Sequence, residues 1–118
     1  MTVEIVRPGL LTTLQDRGRS GWAMLGVGTA GAMDDVALRL ANALVGNPPR
    51  AAALEITLIG PRLRFDQAAT IALTGAEHPE VPMWRAVRVD AGTVLDLGNA
   101  RHGARAYLAI AGGFAVEH

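Results

Sequence analysis

The sequence contains no cysteine and no lysine among its 118 residues. The absence of cysteine excludes disulfides, a thiol nucleophile and thiolate zinc sites. The absence of lysine excludes Schiff-base chemistry, a phosphate-loop lysine and a lysine general base. Any cationic role in this chain therefore falls to arginine or histidine.

Net charge is also absent, because 11 basic residues balance 11 acidic ones. The arginines are spread singly, so there is no basic tract to hold nucleic acid or an anionic membrane. No apolar run approaches the roughly 18 residues of a membrane span, and the N-terminus lacks the pattern of a signal peptide. The sequence thus predicts a cytoplasmic protein that binds neither nucleic acid nor membranes.

One segment has a clear helical period with marked ends, at residues 34–45. Asp34 or Asp35 is placed to cap its N-terminus, and the Gly46-Asn47-Pro48-Pro49 run stops it. The apolar stripe that predicts the buried face of this helix consists of Met33, Ala37, Leu40, Ala41 and Leu44.

The rest of the chain has the pattern of short strands joined by turns. The predicted strands lie at residues 2–7, 10–15, 52–59, 63–65, 70–74, 84–89, 93–97 and 104–110. The Asp90-Ala91-Gly92 turn predicts a hairpin between two of them. The fold class is therefore mainly β: one domain over residues 1–118, a closed or nearly closed β barrel that the helix plugs or covers.

Two groups of polar residues are candidates for chemistry. Gln15, Asp16 and Arg17 bring together an amide, a carboxylate and a guanidinium, which can orient a small polar substrate or its carbonyl oxygen. A loop braced by an internal Asp and Arg pair is the alternative, and the residues alone favour it. Glu55 and Thr57 share the strand face opposite Leu54, Ile56 and Leu58, where either a cleft or water could face them.

Two further features have simpler explanations. The glycines between Gly26 and Gly31 precede the helix, where backbone N–H groups can hold an anion, but their spacing fits neither phosphate-binding motif and favours turns. His78 and His102 stand beside Pro79 and Gly103 and are interpreted as exposed turn residues. The three histidines lack the spacing of a metal site.

Six segments occur in a specific order: residues 8–18 (PGLLTTLQDRG), 31–34 (GAMD), 40–48 (LANALVGNP), 53–57 (ALEIT), 72–76 (ALTGA) and 105–113 (RAYLAIAGG). Together they resemble the biotin-dependent carboxyltransferase family, also called allophanate hydrolase subunit 2. Its members include the C-type subunit of bacterial 5-oxoprolinase and part of the carboxyltransferase region of urea carboxylase. The likeness runs nearly end to end.

The resemblance implies a cyclophilin-like β barrel, equivalent to the N-terminal part of a carboxyltransferase-like subunit. It implies a hydrolase complex with a subunit-B-like partner, which opens 5-oxoproline to glutamate with ATP or transfers a carboxyl group from carboxybiotin to urea. ATP and carboxybiotin then belong to the assembled complex. The chain alone is expected to hold no cofactor or metal and to be inactive.

The resemblance also implies site residues. Gln15, Asp16, Arg17 and Asp34 become candidate catalytic residues. In this scheme Arg17 binds a carboxylate or developing oxyanion, Gln15 donates from its amide, and Asp16 or Asp34 holds an N–H group. The candidates for binding a small amide substrate are Asn42, Glu55 and Thr57.

A non-catalytic module that binds another protein is the rival function. The family includes a bacterial protein that opposes an inhibitor of a sporulation kinase. The sequence leaves homo-oligomerisation open. If a further half normally covers this domain, a patch formed by Leu54, Ile56 and Leu58 or by the last strand should drive self-association.

Overall fold

The computed structural model describes residues 2–7, 9, 11–15, 34–49, 51–113 and 115–117. The secondary structure of these residues is nine strands and one helix. In chain order the elements are β1 (Thr2–Arg7), β2 (Leu11–Gln15), α1 (Asp35–Leu44), β3 (Ala53–Thr57), β4 (Arg62–Phe65), β5 (Ala69–Gly75), β6 (Ala86–Val89), β7 (Val94–Asp96), β8 (Arg105–Ile110) and β9 (Ala115–Glu117).

The described strands form two sheets. One has four strands in the order β7-β4-β1-β9, and the other has five in the order β2-β3-β8-β5-β6. Neighbouring strands pair antiparallel except β1 and β9, which are parallel. One apolar core joins the two sheets: Val3 and Phe65 come from the first, and Leu54, Ile71 and Leu108 from the second. The mainly β prediction with one helix is confirmed, while closure into a barrel stays a prediction.

The helix was predicted at the right place, and its buried face was predicted correctly at Ala37 and Ala41 but not at Leu40 and Leu44. It begins after Asp34 and ends at Leu44, as its sequence signals indicate. Leu40 and Leu44 are exposed, and Leu38, which lies off the predicted stripe, is fully buried. The helix covers the outer face of the five-stranded sheet, where its buried residues Ala37, Leu38 and Ala41 pack against Ala53, Tyr107 and Ala109. The small alanines let the helix lie close to the sheet, and this closeness selects the buried face.

The hairpin predicted at Asp90-Ala91-Gly92 is wrong. Strand β6 before the turn pairs with β5, and β7 after it pairs with β4 in the other sheet. The turn is anchored on the end of β4, because Gly92 N–H donates to Phe65 O at 2.7 Å and Phe65 N–H donates to Thr93 O at 2.9 Å. The segment therefore carries the chain from one sheet to the other.

His78 was predicted to be exposed and is fully buried. Its Nδ1 lies 2.9 Å from Leu97 O. Because a carbonyl oxygen only accepts, Nδ1 carries a hydrogen and donates it to Leu97 O. The turn at Pro79 folds the histidine back beneath β7 instead of turning it toward water.

The third strand ends earlier than predicted. Leu58 has φ of +57°, so the strand stops at Thr57 and Leu58 turns outward. Leu54 and Ile56 are fully buried in the core. The apolar patch considered for self-association is therefore not a surface at these two residues.

Candidate functional site

The candidate site lies where α1 begins above the five-stranded sheet. Asp34 caps the helix: its side-chain oxygen Oδ1 accepts a hydrogen bond from Ala37 N–H at 3.0 Å. A side-chain acceptor at this position satisfies a backbone donor that has no partner within the helix. The residue is otherwise exposed, so the cap holds a carboxylate at the surface in a defined place.

A buried hydrogen-bond chain fixes this end of the helix to the sheet. The Tyr107 hydroxyl donates to Glu55 Oε2 at 2.5 Å and accepts from Asp34 N–H at 2.8 Å. Glu55 and Tyr107 are cross-strand neighbours on β3 and β8. Their side chains are 8% and 0% exposed. The structure thus brings together Asp34 and Glu55, two residues predicted from the sequence, through Tyr107.

Sequence reasoning did not identify Tyr107. The available signal was a hydroxyl-bearing residue in an otherwise apolar strand, Arg105–Ile110, at a position that alternation places opposite the core face. The partner of that hydroxyl depends on strand register, which the sequence pattern alone does not give.

We expect Tyr107 to resist ionisation in the folded chain. Burial, reinforced by the hydrogen bond to Glu55, raises the pKa of Tyr107 above its usual range. A raised folded-state pKa gives stability that is complete below the unfolded pKa of about 10 and is lost above it by about 1.4 kcal/mol per pH unit. Tyr107 is the only tyrosine, and the chain has no lysine or cysteine, so no other side chain titrates in this range.

The measurement is the free energy of unfolding in urea at a series of alkaline pH values, followed together with the absorbance of the phenolate. The phenolate should appear as the chain unfolds. In Tyr107→Phe the same alkaline slope should vanish. Phenolate formation at the usual pH in a chain that stays folded would contradict the prediction.

A cavity of about 560 Å³ opens beside Asp34. This volume suits a small-molecule ligand. The cavity lies at the C-terminal end of β5 and the start of β8, and among its lining residues are Asp34, Gly75, Ala76, His102, Gly103 and Arg105. The small residues give a ligand access to the backbone, and the other three supply a carboxylate, an imidazole and a guanidinium.

Thr57 lies next to this region, at the register position opposite Arg105. The preceding pair on the same sheet face is Glu55 and Tyr107, beneath the start of the helix. A step of two residues along a strand covers about 7 Å. The Thr57 and Arg105 pair is therefore the next one along the face on which the helix begins.

Asn42 lies elsewhere. It is fully buried, and its side-chain amide donates to Ala51 O at 2.8 Å and to Pro49 O at 3.4 Å. These bonds hold the connection between the helix and β3. A substrate contact by Asn42 stays a prediction, and the contacts observed for its side chain are structural.

The predicted loop at Gln15, Asp16 and Arg17 is described only at its first residue. Gln15 ends β2, opposite Ala53. Ala53 is at the other end of β3 from Thr57, about 13 Å along the strand. Asp16 and Arg17 lie outside the described residues, as does the glycine cluster between Gly26 and Gly31. The roles given to these residues stay predictions.

A second cleft of about 360 Å³ is lined by Arg7, Glu80 and Asp96, and two of these, Arg7 and Asp96, pair with each other. Arg7 donates to Asp96 Oδ1 at 2.7 Å, and Arg62 donates to Asp96 Oδ2 at 2.9 Å. The hydrogen bond from Arg62 lowers the pKa of the Asp96 carboxyl. Side chains whose charges are already paired offer less charge to a ligand. The cavity beside Asp34 is therefore the better candidate for a binding site.

The described ranges lack two further signals. None of the helical residues there forms a segment long and apolar enough to cross a membrane. Within the same ranges, no group of three or more histidine or acidic side chains is arranged to hold a metal ion.

Comparison with sequence families gives a match over most of the chain. The family model described as carboxyltransferase domain, subdomain A and B, matches residues 25–118. The chain is 41% identical over 121 residues to urea amidolyase of Saccharomyces cerevisiae, covering 97% of this chain and 7% of that protein. It is 43% identical over 120 residues to the C-type 5-oxoprolinase subunit of Escherichia coli, covering 97% of this chain and 39% of that protein.

Solved structures agree with the sequence matches. Urea carboxylase of Kluyveromyces lactis superposes with a TM-score of 0.81 at 39% identity, covering 94% of this chain and 10% of that one. The chain thus spans less than half the length of each of these relatives. The similarity covers one region of larger proteins.

Proposed function

The chain belongs to the carboxyltransferase domain family, subdomains A and B, and from this premise we propose that it forms one wall of the substrate cleft in a small-amide-processing complex. The complex is of the 5-oxoprolinase or urea carboxylase type, the two kinds of protein to which the chain is similar. The observation that carries the proposal is the cavity beside Asp34, with a guanidinium and an imidazole at its rim.

The chemistry of these side chains suits an amide or a ureido group. Such a group presents N–H donors and a carbonyl acceptor. The Asp34 carboxylate can accept an N–H, and arginine and histidine can donate to a carbonyl or carboxylate oxygen. Gln15, Asp16 and Arg17 are proposed to contribute to the same cleft from the other end of β3, with Arg17 on a developing oxyanion.

The rest of the machinery is proposed to lie outside this domain. One relative is named as a subunit, and the chain covers 39% of it; the amidolyase relative is far longer still. We place ATP, and carboxybiotin where it is used, on a subunit-B-like partner or on further domains, and we expect the single domain of residues 1–118 to be inactive alone. The complex is proposed to work in the cytoplasm.

The test is reconstitution. The purified chain is mixed with a subunit-B-like partner, and ATP-dependent release of glutamate from 5-oxoproline is measured, with urea-dependent ATP hydrolysis as a parallel assay. Turnover of either substrate supports the proposal. Tight association without turnover favours the rival, a regulatory module that binds another protein, and absence of both contradicts the two functions.

We expect Asp34→Asn to lower turnover of the reconstituted complex at least about tenfold, the usual size of a lost hydrogen bond to a charged group. Asparagine caps a helix as well as aspartate does, so the free energy of unfolding should change little. Asp34→Ala should lose turnover to the same extent and about 1 kcal/mol of stability.

The control is Asp35→Asn. Asp35 is the neighbouring acid, and it pairs with Arg39 at 3.1 Å on the helix surface. Turnover in this variant should stay at the level of the unmodified chain. If Asp34→Asn keeps full turnover and still binds the partner, Asp34 is not part of the site.

A further inference from the structure

Strand β6 is the last strand of the five-stranded sheet in the described chain, and one of its edges has no neighbour there. In an antiparallel pair, the N–H and C=O of one residue point to the same side, and those of the next residue point to the other. Ala111 N–H donates to Thr70 O at 2.8 Å, so Thr70 turns its backbone away from Arg88, its partner on β6. The backbone groups of Arg88, and by alternation those of Ala86, therefore face the open edge.

Trp84 stands just before this edge, at an irregularity in the pairing. Its N–H donates to Leu73 O at 2.8 Å, while the preceding residue of β5, Ala72, pairs with Ala86. Trp84 and Arg85 thus share one position opposite Leu73, which is a β-bulge. At the bulge Trp84 has φ of +61°, a region that bulky L-residues rarely adopt, and 49% of the residue is exposed. The fold therefore holds a large aromatic surface in water at a conformational cost.

The charges along this edge are not paired within the described residues. Arg85 and Arg88 are exposed, and neither forms an ion pair there. Asp90, the first residue after β6, is the nearest acid in sequence, and in the same ranges it forms no ion pair with either arginine. The edge thus presents two guanidiniums to a partner, with a single carboxylate at its far end.

Charged side chains on an edge strand commonly prevent the pairing of identical chains. Arg85 and Arg88 suit that role, since a second copy paired along β6 would bring like charges together. This protection does not explain Trp84, because an exposed tryptophan adds apolar surface to the edge. Tryptophan and arginine are enriched at the binding hot spots of protein interfaces, and strained backbone is typical of binding sites. The three residues together therefore fit the recognition of a different chain.

We propose that the open edge of β6 binds an extended, acidic segment of another polypeptide as an additional strand. The backbone groups of Ala86 and Arg88 pair with that segment. The guanidiniums of Arg85 and Arg88 bind its carboxylates, and Trp84 packs on its end. The cavity beside Asp34 is lined by other residues, so the inference is independent of the proposed function.

The experiment measures whether a strand is added at this edge. The 118-residue chain is titrated with a short peptide that alternates glutamate with valine, and binding is followed by NMR shifts and amide hydrogen exchange. The N–H groups of Ala86 and Arg88 should exchange at least about tenfold more slowly in the complex. The N–H of Val87, which by the same alternation faces β5, is the internal control and should change little.

Two matched peptides separate charge from backbone pairing. Lysine in place of glutamate should weaken binding at least about fivefold, the upper worth of one exposed ion pair. Methylation of the backbone nitrogens of the acidic peptide removes its donors to β6 and should abolish binding, because main-chain hydrogen bonds carry the affinity of an added strand.

Variants of the chain test the side chains. Arg85→Glu combined with Arg88→Glu should reverse the preference, so that the lysine peptide binds more tightly. Trp84→Gly should weaken binding of the acidic peptide at least about tenfold without lowering the urea midpoint, since glycine adopts φ of +61° without strain. The matched control is Arg101→Glu, which reverses the charge of another exposed arginine and should bind as the unmodified chain does.

The proposal is overturned if the acidic peptide does not bind, if the lysine or methylated peptide binds as tightly, or if exchange at Ala86 and Arg88 is unchanged. Loss of stability with full binding in Trp84→Gly would show that Trp84 serves the fold instead. Self-association of the unmodified chain that protects the same two amides without any peptide would make a second copy the occupant and would also reject the proposal.

Discussion

We expect Gly75→Ala to lower the free energy of unfolding by about 3 kcal/mol. Gly75 has φ of +89°, where an L-residue costs about 1–2 kcal/mol. The new Cβ atom would also overlap the Arg105 carbonyl oxygen and lie 3.1 Å from Ala106 Cα. Both are backbone atoms of β8 and cannot rotate away, so β5 and β8 must separate, and overpacking of this kind costs about 1–3 kcal/mol more. Urea denaturation measures the loss.

Gly92→Ala separates the two contributions. Gly92 has φ of +85°, nearly the same as Gly75, but a Cβ atom there would meet nothing within 4 Å. This variant should lose about 1–2 kcal/mol from the backbone conformation alone. Equal losses in the two variants would show that β5 and β8 accommodate the methyl group, and the close approach at the cavity floor would then not constrain the fold.

Local signals were enough to predict the helix and most of the strands. The helix ends follow from Asp34 and from the Gly46-Asn47-Pro48 run, which act within a turn of their own positions. Strand β5 was predicted at residues 70–74. In the structure Ile71 and Leu73 face the core, and Thr74 lies under the helix and donates to Ala37 O at 2.7 Å. These features depend on few residues close in sequence.

Features set by distant partners were missed. The Asp90-Ala91-Gly92 turn has the residues of a hairpin, but bonds to Phe65, far back in the chain, decide where the next strand goes. The sequence around His78 is typical of a surface turn, but in the structure its Nδ1 lies 2.9 Å from Leu97 O. In each case tertiary hydrogen bonds override a local preference.

The candidate site shows the same division. The positions of Asp34 and Glu55 follow from local patterns, a helix cap and an alternating strand, and their roles in a site stay predictions. The neighbours of Tyr107 and Arg105 were not predicted, because the register of β8 against β3 places Tyr107 opposite Glu55 and Arg105 opposite Thr57. Sequence patterns give the face of a strand, but register gives the neighbour.

Asn42 was predicted to bind substrate, and its burial in the structure indicates a structural role that can be tested. We expect Asn42→Asp to lower the free energy of unfolding by about 3–5 kcal/mol at neutral pH, the usual consequence of an uncompensated buried charge. The substitution keeps the shape of the side chain. It replaces the amide nitrogen, which donates to Ala51 O and Pro49 O, by a carboxylate oxygen.

The pH dependence identifies the cause. A buried carboxylate facing carbonyl oxygens has a folded-state pKa above its unfolded value of about 4, so the deficit should be complete at neutral pH and shrink as the pH falls toward about 4. Asn99→Asp makes the same charge change at an exposed residue and should alter stability by less than about 0.5 kcal/mol. If the Asn42→Asp variant is instead stable and fails only in the reconstituted assay, the amide is dispensable for folding. That result would support the prediction that Asn42 binds substrate.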